Sequence, residues 1–247
     1  MIYLADIRGC TEEALLPLVC KERRDYAAKY KQSADRIRSL AVATLLGIAL
    51  KQEGYIDILP AEFTHDEKQK PVLSSQLVDI TKIEKEGKNE EVNIKHDSPC
   101  FSLSHAGDYV AVAVDTLPVG IDIERNRPYK ASLAKRYFSK EEQELPLPFT
   151  QIWTLKESFL KVTGMGLSFG LDTFSVIRDP NETAGEEQEL TSFLYRQDFD
   201  DHHYAGRLLP APDGYAFSVC FLLESKLAKA PLKDDICYVN LENYAAE

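Results

Sequence analysis

Four residues of this chain carry the means to handle a cation bound to phosphate. They are Asp122 and Glu124 in the run VGIDIE at 119–124, and Glu157 and Lys161 in FTQIWTLKESFLKVTGMG at 149–166. VGIDIE reads as a β-strand, in which residues two apart point to the same side, so both acids leave one face. The second stretch reads as an amphipathic helix. Phe149, Ile152, Trp153, Phe159, Leu160 and Thr163 recur at helical spacing, and Gly164 and Gly166 supply the stop. Glu157 and Lys161 are then vertical neighbours on one helix face. A hard dication such as magnesium takes oxygen ligands and is usually held by one or two carboxylates plus substrate phosphates. Asp122, Glu124 and Glu157 have that chemistry, and Lys161 adds a mobile point charge for a phosphate oxygen. The alternative for such pairs is a solvated, salt-bridged helix face beside a strand whose acids point to water.

Composition bounds what else the chain can do. With 247 residues, 44% of them hydrophobic, it can bury an ordinary core in one large domain or two smaller ones. Its 29 basic and 40 acidic residues give a net charge of -11, which argues against general affinity for nucleic acid or an anionic membrane. An anionic ligand therefore needs a local basic patch. One is available between Lys21 and Arg38, where Lys21, Arg23, Arg24, Lys29, Lys31, Arg36 and Arg38 face only Glu22, Asp25 and Asp35. The five cysteines are scattered, with no C-x-x-C pair, which suggests neither a disulfide framework nor a zinc site and fits a reducing cytoplasm. MIYLADIRG lacks a basic n-region, and LAVATLLGIAL at 40–50 is too short to span a bilayer, so a soluble cytoplasmic protein is expected.

The elements that must position the site can be read in order. MIYLADI is an opening strand, and Thr11 is a possible N-cap for a short helix. A helix from about Ser33 to Lys51 buries the face carrying Ile37, Leu40, Ala41, Leu45 and Ile48. GYIDI at 54–58 reads as a strand, and the charged segment 74–99 as a hairpin. FSLSHAG at 101–107 is a strand whose end presents Ser104 and His105. YVAVAVD at 109–115 and VGIDIE, separated by TLP, read as neighbouring antiparallel strands. Ala131–Tyr137 and Ser139–Glu144 read as short helices, the second with a capping box from Ser139 to Glu142, and Phe138 between them as core. SFGLDTFSVI, TSFLYRQDF and YAFSVCFLL supply three further strand candidates. GYAFSVCFL parallels GDYVAVAVD, which predicts an α+β fold of two similar halves, each a long helix on an antiparallel sheet. The halves are placed at 1–120 and 121–247, with the active site between them.

FSLSHAG, VGIDIE, RYFSKEE at 136–142 and WTLKESFLKVTGMG at 153–166 occur in one order with one set of gaps. Together they resemble the 4'-phosphopantetheinyl transferases. The length points to the Sfp-type branch, with two similar halves in one chain, and hence to a monomer. The match is best over about residues 100–176. The resemblance implies transfer of the 4'-phosphopantetheine group from coenzyme A to a serine of an apo acyl or peptidyl carrier protein, with release of 3',5'-adenosine bisphosphate. It implies magnesium at Asp122, Glu124 and Glu157, with Lys161 and the Ser104–His105 pair on the phosphates. Arg38, helped by Lys31, would hold the 3'-phosphate, and Lys70, from a lysine-proline pair with Pro71, would face the nucleotide. About thirty residues separate Pro71 from FSLSHAG, where the family usually has far fewer. Glu157 is the expected general base, directly or through a metal-bound water, and the water is the favoured immediate acceptor because an unshifted glutamate has a pKa of only about 4.3. Two other readings use the same residues. One is a metal-dependent phosphohydrolase acting on coenzyme A or a similar nucleotide, and the other is a non-catalytic module that binds coenzyme A or carrier proteins.

Overall fold

Alternation along four strands decides how the layers stack. In a computed structural model, which describes residues 1–56, 60–61, 63–65, 71–73, 99–128, 131–166, 169–177, 194–225 and 236–245, the chain forms two four-stranded sheets. The first has the order β10 (Ile236–Tyr238), β1 (Ile2–Asp6), β5 (Tyr109–Asp115) and β4 (Cys100–Ala106). The second has the order β6 (Val119–Arg125), β9 (Tyr215–Leu223), β8 (His202–Leu208) and β7 (Leu194–Phe199). A small hairpin, β2 (Phe63–His65) with β3 (Pro71–Leu73), stands apart from both. Apart from the parallel pair β1–β10, every pairing is antiparallel. The helices are α1 (Glu12–Leu15), α2 (Lys21–Ala27), α3 (Ser33–Gln52), α4 (Ala131–Tyr137), α5 (Lys140–Gln143), α6 (Phe149–Thr163) and α7 (Glu242–Ala245).

On β1, Tyr3 and Ala5 join the core under α3, while Ile2 and Leu4 face the second sheet. On β5, Val110, Val112 and Val114 turn to α3, and Ala111 and Ala113 turn to the second sheet. Val119, Ile121 and Ile123 of β6 meet them with Phe217, Val219 and Phe221 of β9. The period of two leaves Gly120, Asp122 and Glu124 on the side of α6. The layers are therefore α3, first sheet, second sheet and α6, and the acids lie between the second sheet and its helix. This is the expected α+β class, with α3 on the first sheet and α6 on the second.

Several elements differ from expectation. β6 does not pair with β5, because both edges of β5 are taken by β1 and β4. The chain instead turns at Thr116–Pro118, where the Asp115 carboxylate accepts the amides of Thr116 and Leu117, and β6 pairs with β9 across the layer. Residues 169–177 form no strand, and His202–Leu208, not anticipated, does. Gly206 sits under the Tyr195 ring, where a Cβ would lie 2.3 Å from the ring. Helix α3 buries all of Ser39 to Leu50 and not a single stripe, because α1 and α2 cover the side that the first sheet leaves open. Near the carboxy terminus, β10 extends the first sheet beyond β1. Residues 57–58 of the expected strand at 54–58, and 74–98 of the expected hairpin, lie outside the described residues; Tyr55 and Ile56 are not in a strand. Among the described residues no helix is long and apolar enough to cross a membrane.

Helix α6 starts after Pro148 and stops at Gly164, whose φ of 68° only glycine adopts without strain. It lies directly on β6: a Cβ on Gly120 would sit 2.0 Å from the Ser158 carbonyl oxygen and 2.6 Å from the Val162 nitrogen. These are backbone atoms and cannot step aside. Gly120→Ala should accordingly lower stability by about 1–3 kcal/mol or more through forced separation of helix and strand. A urea midpoint equal to wild type would show that the contact is looser than described.

Candidate active site

The site lies where β4, β6 and α6 meet. As the edge strand of its sheet, β6 has amides without a strand partner on one side. Serines of β4 take them: the Ile121 amide donates to Ser102 Oγ at 3.1 Å and the Ile123 amide to Ser104 Oγ at 3.2 Å. Ser104 Oγ in turn donates to Asp122 Oδ1 at 2.9 Å. Lys161, reaching up from α6, donates to the same Oδ1 at 2.7 Å, to the Ile121 carbonyl at 2.9 Å and to the Leu103 carbonyl at 3.3 Å. One ammonium thus joins a strand from each sheet to the helix. Ser104 is part of this seam and is itself buried, which places it behind Asp122.

Asp122 is 5% exposed, and its Oδ2 has no hydrogen-bond partner among the described residues. A buried carboxylate oxygen in that state carries a desolvation cost that a cation would relieve. Glu157 and Glu124, both half-buried, feel the Asp122 charge. Burial, then Asp122, pushes the Glu157 carboxyl up to about 7, with Glu124 adding to the rise and Lys161 opposing it. Burial and Asp122 also raise Glu124, while Arg127, 2.8 Å from its Oε2, opposes the rise. The Asp122 charge thus reaches both glutamates. Among the described residues, however, no three His, Cys, Asp or Glu side chains are closed into a ligand set. Lys161 and Arg127 sit on two of the acids instead. The donor chemistry fits a hard dication, with oxygen ligands, an orphaned oxygen on Asp122 and mutual repulsion for a cation to relieve.

A second group of charges gathers beyond the end of β4. His105 is exposed at the surface, but the protein around it still removes part of its hydration. This desolvation first, then the cations Lys161, Arg38 and Arg23, holds its imidazole below the ordinary value. Arg38 pairs with Asp35 at 2.5 Å and donates to the Gly107 carbonyl at 3.2 Å, which ties α3 to the turn after His105. Arg23, half-buried on α2, donates to the Ser39 carbonyl at 3.0 Å. The sequence marked Arg23 only as one of seven cations; nothing local singled it out, because its link to His105 depends on how α2 packs on α3. Lys31 is exposed and joins the region through its carbonyl, which accepts from Arg36. Lys70 lies outside the described residues.

Lys156, beside Glu157 in sequence, points the other way. Fully buried, it donates to Glu142 Oε1 at 2.6 Å and to the Phe174 carbonyl at 2.6 Å. Glu142 also accepts the amides of Val176 and Ser139, completing the predicted capping box of α5. Such a satisfied buried pair fixes geometry more than it adds net stability. It sets which face of α6 points at the seam. Beside Glu124 opens a cleft lined by Arg127, Leu133, Phe149, Thr150 and Trp153.

Comparison with known proteins agrees with this geometry. Residues 118–220 match the 4'-phosphopantetheinyl transferase superfamily. The chain is 35% identical over 172 residues to 4'-phosphopantetheinyl transferase psf-1 of Bacillus pumilus, covering 66% of this chain and 65% of that one. It is 30% identical over 173 residues to 4'-phosphopantetheinyl transferase Sfp of Bacillus subtilis, covering 66% and 68%. It is 30% identical over 212 residues to a putative 4'-phosphopantetheinyl transferase of Synechocystis, covering 78% and 74%. The chain thus matches about two thirds to three quarters of each relative's length. With the seam of acids and lysine falling inside the matched region, the chain belongs to the 4'-phosphopantetheinyl transferase superfamily, on its Sfp-type branch.

Proposed function

We propose that this protein transfers the 4'-phosphopantetheine group of coenzyme A to a serine of an apo acyl or peptidyl carrier protein, with magnesium at the seam. The observation that carries the reading is the orphaned Oδ2 of Asp122, buried beside Lys161 and two carboxylates whose proton affinity it raises. Asp122, Glu124 and Glu157 would hold the ion, whose chemistry there is to neutralise the pyrophosphate. Lys161 is placed to give one of its hydrogen bonds to a phosphate oxygen while keeping the carbonyls of Leu103 and Ile121. Arg38 and Arg23 are the cations for the remaining phosphates, the 3'-phosphate included, and the neutral His105 ring beside them can donate an N–H. Lys31 and Lys70 are assigned to the same nucleotide end by resemblance alone.

In the reaction the serine Oγ forms a bond to the β-phosphorus, and the bond from that phosphorus to the bridging oxygen breaks. The leaving group, 3',5'-adenosine bisphosphate, carries the electron pair. The serine proton goes to Glu157. Before an ion is bound, burial and the Asp122 charge push the Glu157 carboxyl up to about 7, toward the range a general base needs; a dication there would oppose that rise, so the proton reaches Glu157 directly or through one water. Positioning and charge neutralisation supply the rest, as phosphoryl transfer demands. The cleft beside Glu124, with Trp153, Phe149 and Leu133 in its walls and exposed Arg125, Lys135, Arg136 and Lys140 on the surrounding elements, suits the approach of an acidic carrier.

Intact-mass measurement of an apo carrier incubated with coenzyme A and magnesium should show the gain of one phosphopantetheine group, abolished by a chelator. Release of 3',5'-adenosine bisphosphate from coenzyme A while the carrier stays unmodified would point to hydrolysis instead. Glu157→Ala should lower the transfer rate by about a hundredfold or more, the usual scale for a lost base; a rate within a few-fold of wild type would remove Glu157 from that role. In the metal-free protein, the native state holds the Glu157 proton up to about 7, against 4.5 for an ordinary carboxyl, so stability falls as pH rises through that interval. Urea midpoints in chelator should therefore fall more steeply between those pH values for wild type than for Glu157→Gln. Equal slopes would contradict the raised pKa.

A further inference from the structure

Tyr215 begins β9 and is 9% exposed, yet the proposed chemistry does not use it. Its register partner on β6 is Arg125, so it stands at the end of the strand pair that carries Asp122 and Glu124. Its ring packs edge-on against Tyr109 of the first sheet, with centroids 4.9 Å apart. Its hydroxyl crosses between the sheets and accepts the Asp108 amide at 3.0 Å. Asp108 is the second residue of the turn that follows His105, and its carbonyl accepts the Ile7 amide at 2.8 Å.

The first turn residue, Gly107, is held at a φ of 53°, and a Cβ there would lie 2.3 Å from the Tyr215 hydroxyl. Its carbonyl is the acceptor for Arg38. The turn is thus gripped at one residue by a phenol from the sheet of carboxylates, and at the next by a cation from α3. Anything that shifts the turn moves His105 and Arg38 relative to Asp122 and Glu124.

We infer that Tyr215 is a positioning residue: through its hydrogen bond to the Asp108 amide it registers the cations Arg38 and Arg23, with the His105 ring beside them, against the carboxylates of β6. The phenol touches neither phosphate nor metal ligands; it fixes the spacing between the two ends of one ligand. The inference rests on the reading above that these cations bind the 3'-phosphate of coenzyme A. Loss of the hydroxyl alone therefore weakens recognition of that phosphate and leaves the bond-breaking step intact.

The test is Tyr215→Phe, which keeps the ring and removes the hydroxyl, assayed with coenzyme A and with 3'-dephospho-coenzyme A. The KM for coenzyme A should rise about fivefold, the scale of one neutral hydrogen bond, with kcat within about twofold of wild type. With the dephospho substrate the variant and wild type should have the same KM. A rise of equal size with both substrates, or none with coenzyme A, overturns the inference, since a general loosening of the fold would not distinguish them. A wild-type enzyme that itself fails to discriminate the two substrates overturns the phosphate assignment and leaves the carrier-modifying activity standing. A second measurement needs no variant: 3',5'-adenosine bisphosphate should slow hydrogen exchange at the Asp108 amide more than adenosine 5'-monophosphate does. Equal protection by both contradicts the coupling.

Discussion

The Lys161 ammonium is the point on which the seam hangs. It donates to a carbonyl of the first sheet, a carbonyl of the second and a carboxylate between them, from a helix pressed against β6 at Gly120. These four relations are mutually dependent. The helix can approach only because residue 120 has no side chain, the lysine reaches both strands only at that approach, and the strands lie at the right separation because Ser102 and Ser104 bond the amides of β6. Two sheets that share no backbone ladder are joined here by side chains. Their cores meet through Ile2, Leu4, Ala111 and Ala113 on one side and Val119, Ile121 and Ile123 on the other.

This joint concentrates negative charge at a cost. Asp122 is buried with one oxygen unpaired, and both glutamates beside it hold protons more tightly than ordinary carboxyls. Folding tolerates this because Lys161 and Arg127 offset part of the repulsion, and because the buried Lys156–Glu142 pair fixes the helix by independent bonds. Perturbation of this kind is expected where a site is built for a ligand that completes it. Arg38 and Arg23, whose charges act on His105, differ in sign from the acids of β6, which gives a ligand with two phosphate groups two different environments.

Much of this was legible in the sequence, for physical reasons that differ by element. The strands YVAVAVD and VGIDIE, the helix 149–163 and the Ser139–Glu142 capping box have strong local patterns, and local pattern decides them. That Asp122 and Glu124 share a face follows from the pleat alone. Pairing was harder: β5 and β6, adjacent in sequence and both strand-like, lie in different sheets because β5 already has two neighbours, a fact that no local signal carries. The strand HHYAGRL was missed because it is buried on both faces and interrupted by a glycine that serves Tyr195. The opposite orientations of Lys156 and Glu157, one residue apart, follow from helix geometry, but only the fold shows that the lysine meets Glu142. Arg23 and Tyr215 act through contacts across layers and have no signature in the chain.

Transfer at this site requires that the acids at the seam and the cations near His105 bind one ligand together with a dication. Calorimetric titration of coenzyme A, with and without magnesium, into wild type and Asp122→Ala measures this directly. The account predicts that magnesium strengthens coenzyme A binding to wild type and has no effect on binding to the variant. An equal magnesium effect on both proteins, or none on wild type, would contradict it.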